Sequence, residues 1–189
     1  MTYILHGGFE REDNELNRSF YQEVLKGVSD NGTLLLVHFA STHSPEEVKE
    51  THELQEKRMQ SLTNKHINVE FATEEDFLNQ VEHADAIHMR GGHTPKLLSV
   101  LKNYPELAAM FSNKTISGSS AGAYALAKYG PGHSEEGIRE GLGLVPIRLA
   151  CHYESLELPP DSESLTELKA MATELELVTL RDFEWRVFN

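Results

Sequence analysis

The chain has 189 residues, with 17 basic and 30 acidic side chains for a formal charge of −13. That length suits one domain, residues 1–189, with a single substantial core, and the negative field works against binding to nucleic acid or to an anionic membrane surface. Cys151 is the sole cysteine, which excludes an intramolecular disulfide and every multi-cysteine metal site.

Residues 2–6 read as a first strand. The opening run is too short and too poor in basic residues for a secretory leader, so a cytoplasmic protein is expected. Residues 14–28 have helical periodicity, with Leu16, Phe20, Val24 and Leu25 on one face. After the turn Asp30-Asn31-Gly32 comes a continuous apolar strand, 33–39, far shorter than the ~20 residues of a membrane helix. Ser44-Pro45 then opens a helix to about residue 62. A third strand covers 67–71, a helix capped by Thr73 runs through 81, and a fourth strand, 84–89, ends in Arg90-Gly91-Gly92. Short helices at 94–101 and 106–111 precede a strand at 114–117.

That strand runs into Gly118-Ser119-Ser120-Ala121-Gly122, which fits G-x-S-x-G. Glycines on both sides of a serine let the chain turn sharply from strand to helix, exposing the hydroxyl and freeing nearby amides to bind an oxyanion. Ser120 is the candidate nucleophile, and the small residues of 121–127 suit a helix packed closely behind it. Small residues at such a turn also serve plain close packing, which is the competing reading. Residues 129–143 read as an irregular loop, interrupted by Gly130-Pro131-Gly132. A strand returns at 144–151 and an acidic helix at 162–175. Residues 176–180 and 184–188 read as a closing hairpin across Arg181-Asp182-Phe183. Alternating strands and helices predict an α/β fold, a three-layer sandwich around a mainly parallel sheet.

In such sheets ligands lie at the carboxyl ends of the strands. Those ends carry His6-Gly7-Gly8, His38, Arg90-Gly91-Gly92-His93, Ser120 and Cys151-His152. His152, which follows the serine at another strand end, is the expected base. Two glutamates compete to orient it: Glu154, two residues on, and Glu135, in the loop between serine and histidine. The amides of Gly92 and Ala121 are expected to form an oxyanion hole, and Arg90 and His93 to meet substrate. Cys151, pointing away from its histidine neighbour on a strand, reads as a core residue. No metal-ligand spacing and no phosphate-loop motif occurs, so no cofactor is expected.

Three blocks, Met89-Arg90-Gly91-Gly92-His93-Thr94, Gly118-Ser119-Ser120-Ala121-Gly122-Ala123 and Gly141-Leu142-Gly143-Leu144 leading to Cys151-His152-Tyr153, together resemble the dipeptidase E and cyanophycinase family of serine peptidases. The resemblance implies a fold similar to class I glutamine amidotransferases, with Ser120 as nucleophile, His152 as base and amides near Gly92 and Ala121 as oxyanion hole. It places the acid in the loop between serine and histidine, favouring Glu135 over Glu154. His93 departs from the family's usual polar residue, and residues 153–167 hold no arginine or lysine to select an aspartyl side chain. The expected activity is hydrolysis of small peptides or related amides through an acyl-enzyme. A small esterase and a noncatalytic binding or regulatory domain on the same scaffold are the alternatives. An apolar edge at Phe183-Glu184-Trp185 could serve a homodimer, with a buried aromatic as the competing reading.

Overall fold

The computed structural model describes residues 1–42, 45–132 and 137–189. A six-stranded sheet, in the order β10-β1-β5-β4-β2-β3, forms the centre. Its parallel strands are β1 (Thr2–His6), β2 (Thr33–Val37), β3 (Asn68–Phe71), β4 (Ala86–Met89) and β5 (Thr115–Ser119). The last strand, β10 (Trp185–Phe188), runs antiparallel along the outer edge of β1.

The apolar runs of β1, β2 and β4 are buried because both faces of the sheet are covered. Successive side chains on a strand point to opposite faces, and the packing follows that alternation. Ile4, Leu34, Leu36 and Ala86 meet Phe20, Tyr21, Val24 and Leu25 of α1 (Glu15–Lys26), together with Met59 of α2 (Pro45–Ser61). Tyr3, Leu5, Leu35, Val37, Ile87 and Met89 face the other way. They join residues of α3 (Phe77–His83), α4 (Thr94–Leu101), α5 (Leu107–Met110) and α6 (Ala121–Leu126). The result is the expected layered α/β arrangement.

Two expectations fail in the C-terminal third. Part of the 129–143 segment is strand: β6 (Ala127–Pro131) pairs antiparallel with β7 (Ile138–Glu140). Gly130 and Pro131 are the last two residues of β6, where they end the strand rather than prevent it. The 176–188 region is not a hairpin. Instead β9 (Glu176–Thr179) lies parallel to β8 (Val145–Ala150) in a second sheet of order β7-β6-β8-β9, while β10 crosses to β1. The turn Arg181-Asp182-Phe183 thus carries the chain from one sheet to the other, with Phe183 in the left-handed region at φ 68°. Boundaries shift elsewhere: α3 starts after Asp76 rather than at Thr73, and α7 (Ser162–Ala170), capped by Asp161, is shorter than its sequence pattern. Among the described residues no helix is long and apolar enough to cross a membrane.

Candidate active site

Ser120 lies between β5 and α6 with φ 47° and ψ −105°, a conformation rare for a residue with a side chain. The glycines around it are required by distance. A Cβ on Gly122 would stand 2.1 Å from the Met89 carbonyl oxygen, and one on Gly118 would stand 2.3 Å from the carbonyl carbon of Gly122. Only hydrogen fits where α6 crosses the ends of β4 and β5. The Ser120 N–H donates to the His6 carbonyl at 3.0 Å, tying the bend to the end of β1.

His152 follows β8 at φ 52° and is 6% exposed. Ser120 Oγ lies 3.1 Å from His152 Nε2, and Asp182 Oδ1 lies 2.7 Å from Nδ1. A carboxylate only accepts, so Nδ1 carries the proton and donates to Asp182, leaving Nε2 to accept from the serine hydroxyl. This chain of three groups is the arrangement that activates a serine.

The carboxylate on His152 Nδ1 is that of Asp182, which the sequence alone does not single out. Glu154 faces away, into an exposed ion pair with Arg181; at φ 60° it lies on a turn, so the extended spacing that put it beside His152 does not apply. Glu135 lies outside the described residues. From the sequence Asp182 reads only as part of a turn. The signal was present, since Asp182 stands just past the end of β9 as His152 stands just past the end of β8.

Arg90 borders one of the two hollows beside the serine, with its charge paired inside the fold. It is 3% exposed, and its Nε donates to Glu10 Oε1 at 3.0 Å. With its amide oxygen turned toward Arg90, Gln55 accepts from Nη1 at 2.7 Å and donates to His38 Nε2 at 3.0 Å. His93 caps α4, its Nδ1 accepting from the Lys96 N–H, and lines neither hollow beside the serine. Cys151 is fully buried, and burial pushes its thiol well above the usual range, so it is no rival nucleophile. Gly92 borders both hollows, and its N–H makes no hydrogen bond among the described residues. Ala121 occupies the first position of α6, where an N–H has no intrahelical acceptor.

Beneath the cleft lies a buried polar cluster. Glu10 Oε2 is 2.9 Å from His88 Nε2, and Ser117 Oγ is 3.0 Å from His88 Nδ1. Burial alone would raise the Glu10 carboxyl, but His88 and Arg90 outweigh it and hold that group below the usual carboxylate range. Burial pushes His6 down to about 4, and burial with the Arg90 charge pushes His38 down to about 3.

Two hollows meet at Ser120 and His152. One, of about 250 Å³, is walled by Tyr124, Pro131, Arg139 and the Pro159-Pro160 loop. The other, of about 280 Å³, is walled by Phe9, Arg11, Glu12 and Gly91. Leu158 borders both.

The family model of peptidase family S51 matches residues 3–187. The chain belongs to that family. Family S51 is the dipeptidase E family, and the chain is accordingly a serine-type peptidase acting on small peptides. Among solved structures it is similar to a peptidase from an acI-B1 actinobacterium, at 20% identity and a TM-score of 0.76 over 100% of this chain and 83% of the other. It is also similar to a putative peptidase E protein from Listeria monocytogenes EGD-e, at 18% identity and a TM-score of 0.64 over 99% and 96%. At such identities these likenesses speak for the fold. No curated protein sequence matches the chain.

Proposed function

We propose that this S51 peptidase cleaves small peptides through an acyl-enzyme on Ser120, with His152 as base and Asp182 as its orienting acid. The observation that carries the reading is the continuous relay of 2.7 and 3.1 Å contacts ending on a serine held in a strained bend. Ser120 Oγ bonds to the scissile carbonyl carbon as its proton passes to His152 Nε2, and the carbonyl electron pair moves onto oxygen. The N–H groups of Gly92 and Ala121 are the donors that would receive this oxyanion. Collapse re-forms the carbonyl and expels the amine, which takes the proton from His152. Water, deprotonated by the same imidazole, then attacks the ester; collapse breaks the bond to Ser120 Oγ, which takes the proton back from His152, and the acid is released.

The two hollows would take the residues on either side of the scissile bond. Each falls below the ~300–1,000 Å³ typical of sites for drug-sized ligands, which favours short peptides over long ones. The charge of −13 disfavours nucleic acid as a partner, and a lone buried thiol fits a reducing, cytoplasmic setting.

Replacing Ser120 with alanine should remove turnover of a dipeptide panel by at least about 10³-fold and abolish labelling by a fluorophosphonate, with unchanged circular dichroism. Wild-type turnover in that variant would overturn the assignment.

A further inference from the structure

The segment His6-Gly7-Gly8-Phe9-Glu10 supplies no group to the proton relay, yet the catalytic imidazole rests on it. A Cβ on Gly8 would lie 1.9 Å from His152 Cε1 and 2.3 Å from Nε2, so the ring lies directly against the Gly8 backbone. The Phe9 ring meets the imidazole edge-on, with centroids 5.1 Å apart and planes at 79°. Phe183, the neighbour of Asp182, leans on Phe9 from behind at 6.2 Å. Backbone bonds lock the same parts together. The His152 N–H donates to the Gly7 carbonyl at 3.0 Å, the Phe183 N–H to Gly8 at 3.2 Å, and the Gly7 N–H to Glu184 at 2.8 Å.

The other side of the segment is held by buried groups. The Gly8 N–H donates to His6 Nδ1 at 3.1 Å, and His6 Nε2 lies 2.8 Å from Asn17 Oδ1. The Asn17 amide then donates to the Phe9 and Glu12 carbonyls, both at 2.9 Å. Glu10, 4% exposed, is fixed between His88 and Arg90. Phe9 has φ 56°, a conformation unfavourable for a bulky side chain that persists only where surrounding bonds impose it. Here those bonds are the Asn17 amide before it in space and the Glu10 anchor after it in sequence.

We propose that Gly8 and Phe9 are positioning residues that fix the His152 imidazole, and that buried Glu10 anchors them. This rests on the relay proposed above. Asp182 holds one ring nitrogen and leaves the ring free to swing about that bond. The Gly8 backbone supplies a flat stop on one face, and the Phe9 edge limits the swing, so that Nε2 stays on the serine hydroxyl.

The test reads the rate at which a small methyl fluorophosphonate modifies Ser120, because a probe without a peptide side chain makes no demand on the hollow that Phe9 also lines. Phe9→Ala and Glu10→Gln should each slow modification about tenfold, and Gly8→Ala about a hundredfold, the scale expected for displacing a catalytic group by about 1 Å. Phe9→Leu should restore most of the rate. In a His152→Ala background, Phe9→Ala should change the residual rate by less than about twofold, since a residue acting only through the imidazole has nothing left to position. Gly8→Ala carries a backbone penalty of its own, so Phe9→Ala and Glu10→Gln decide the matter. Wild-type rates in both would overturn the inference. So would slowing by Phe9→Ala of equal size with and without His152. A His152→Ala protein that labels at the wild-type rate would overturn the relay and this inference with it. An inactive His152→Ala protein beside fully active Phe9→Ala and Glu10→Gln proteins would overturn the inference alone.

Discussion

Asp182 reaches His152 with its side chain about one-fifth exposed, through a single contact of 2.7 Å. Its role in the proposed relay is to select the tautomer that leaves Nε2 free to accept the serine proton and to stabilise the imidazolium that follows. Asp182→Asn keeps the size and loses the charge, and its amide can donate to Nδ1, which selects the wrong tautomer. We expect kcat on a dipeptide panel to fall by about 10³- to 10⁴-fold with little change in KM, and a loss below about tenfold would argue against the assignment. Glu154→Gln breaks only an exposed pair with Arg181 and should leave kcat within about twofold. The serine and histidine were legible in the sequence, because a tight strand-to-helix bend has a local signature and His152 follows it at another strand's end. The acid was not. It arrives 30 residues after the histidine through a crossing between two sheets, and nothing local to Arg181-Asp182-Phe183 records that crossing.

Elements followed the sequence wherever a strand is covered on both faces. The apolar runs in β1, β2, β4 and β8 left little choice, and the structure agrees with them to within a few residues. The hairpin expected at 176–188 failed because closeness in sequence favours local pairing, whereas β9 finds a partner in β8 and β10 in β1. Edge strands read alike whichever sheet they join, so only the tertiary arrangement could decide. The packing of α6 against β4 and β5 has little room to adjust, since the two atoms nearest a Cβ on Gly122 are backbone. Gly122→Ala places a methyl 2.1 Å from the Met89 carbonyl oxygen, so the helix must move away from the strand ends. We expect a loss of stability of about 3 kcal/mol in urea unfolding, with Ser120 modification slowed in whatever fraction stays folded. A variant within about 0.5 kcal/mol of wild type would show that α6 moves more freely than this packing allows.

At the scale of the whole molecule, the interior holds histidines that folding keeps neutral. His6 falls to about 4 and His38 to about 3, in both cases chiefly because burial penalises the charged ring. In the unfolded chain each returns to its ordinary value near 6.5. Between about pH 6.5 and 4 the unfolded state therefore binds more protons than the native state, and stability must fall as the pH is lowered. Each ring removes up to about 1.4 kcal/mol per pH unit across that window, and for His6 the full interval amounts to about 3 kcal/mol. Below about pH 4.5 Glu10 acts in the same direction, because its carboxyl is held ionised in the native state and is free to protonate in the unfolded one. Protonation of the many surface carboxylates relieves the self-repulsion of a chain carrying −13. That relief opposes the loss but grows only where carboxylates titrate, toward the acid end of the histidine window. Urea unfolding at pH 7.5, 6.0 and 5.0 should show falling stability with a slope of about two protons from His6 and His38, to which His52, lowered by burial and the Arg90 charge, adds a part. His38→Gln should remove about one proton from that slope while leaving the Ser120 labelling rate near wild type at neutral pH. A stability curve flat from pH 7.5 to 5.0 would mean that these rings accept protons within the fold, and would contradict the closed packing around them.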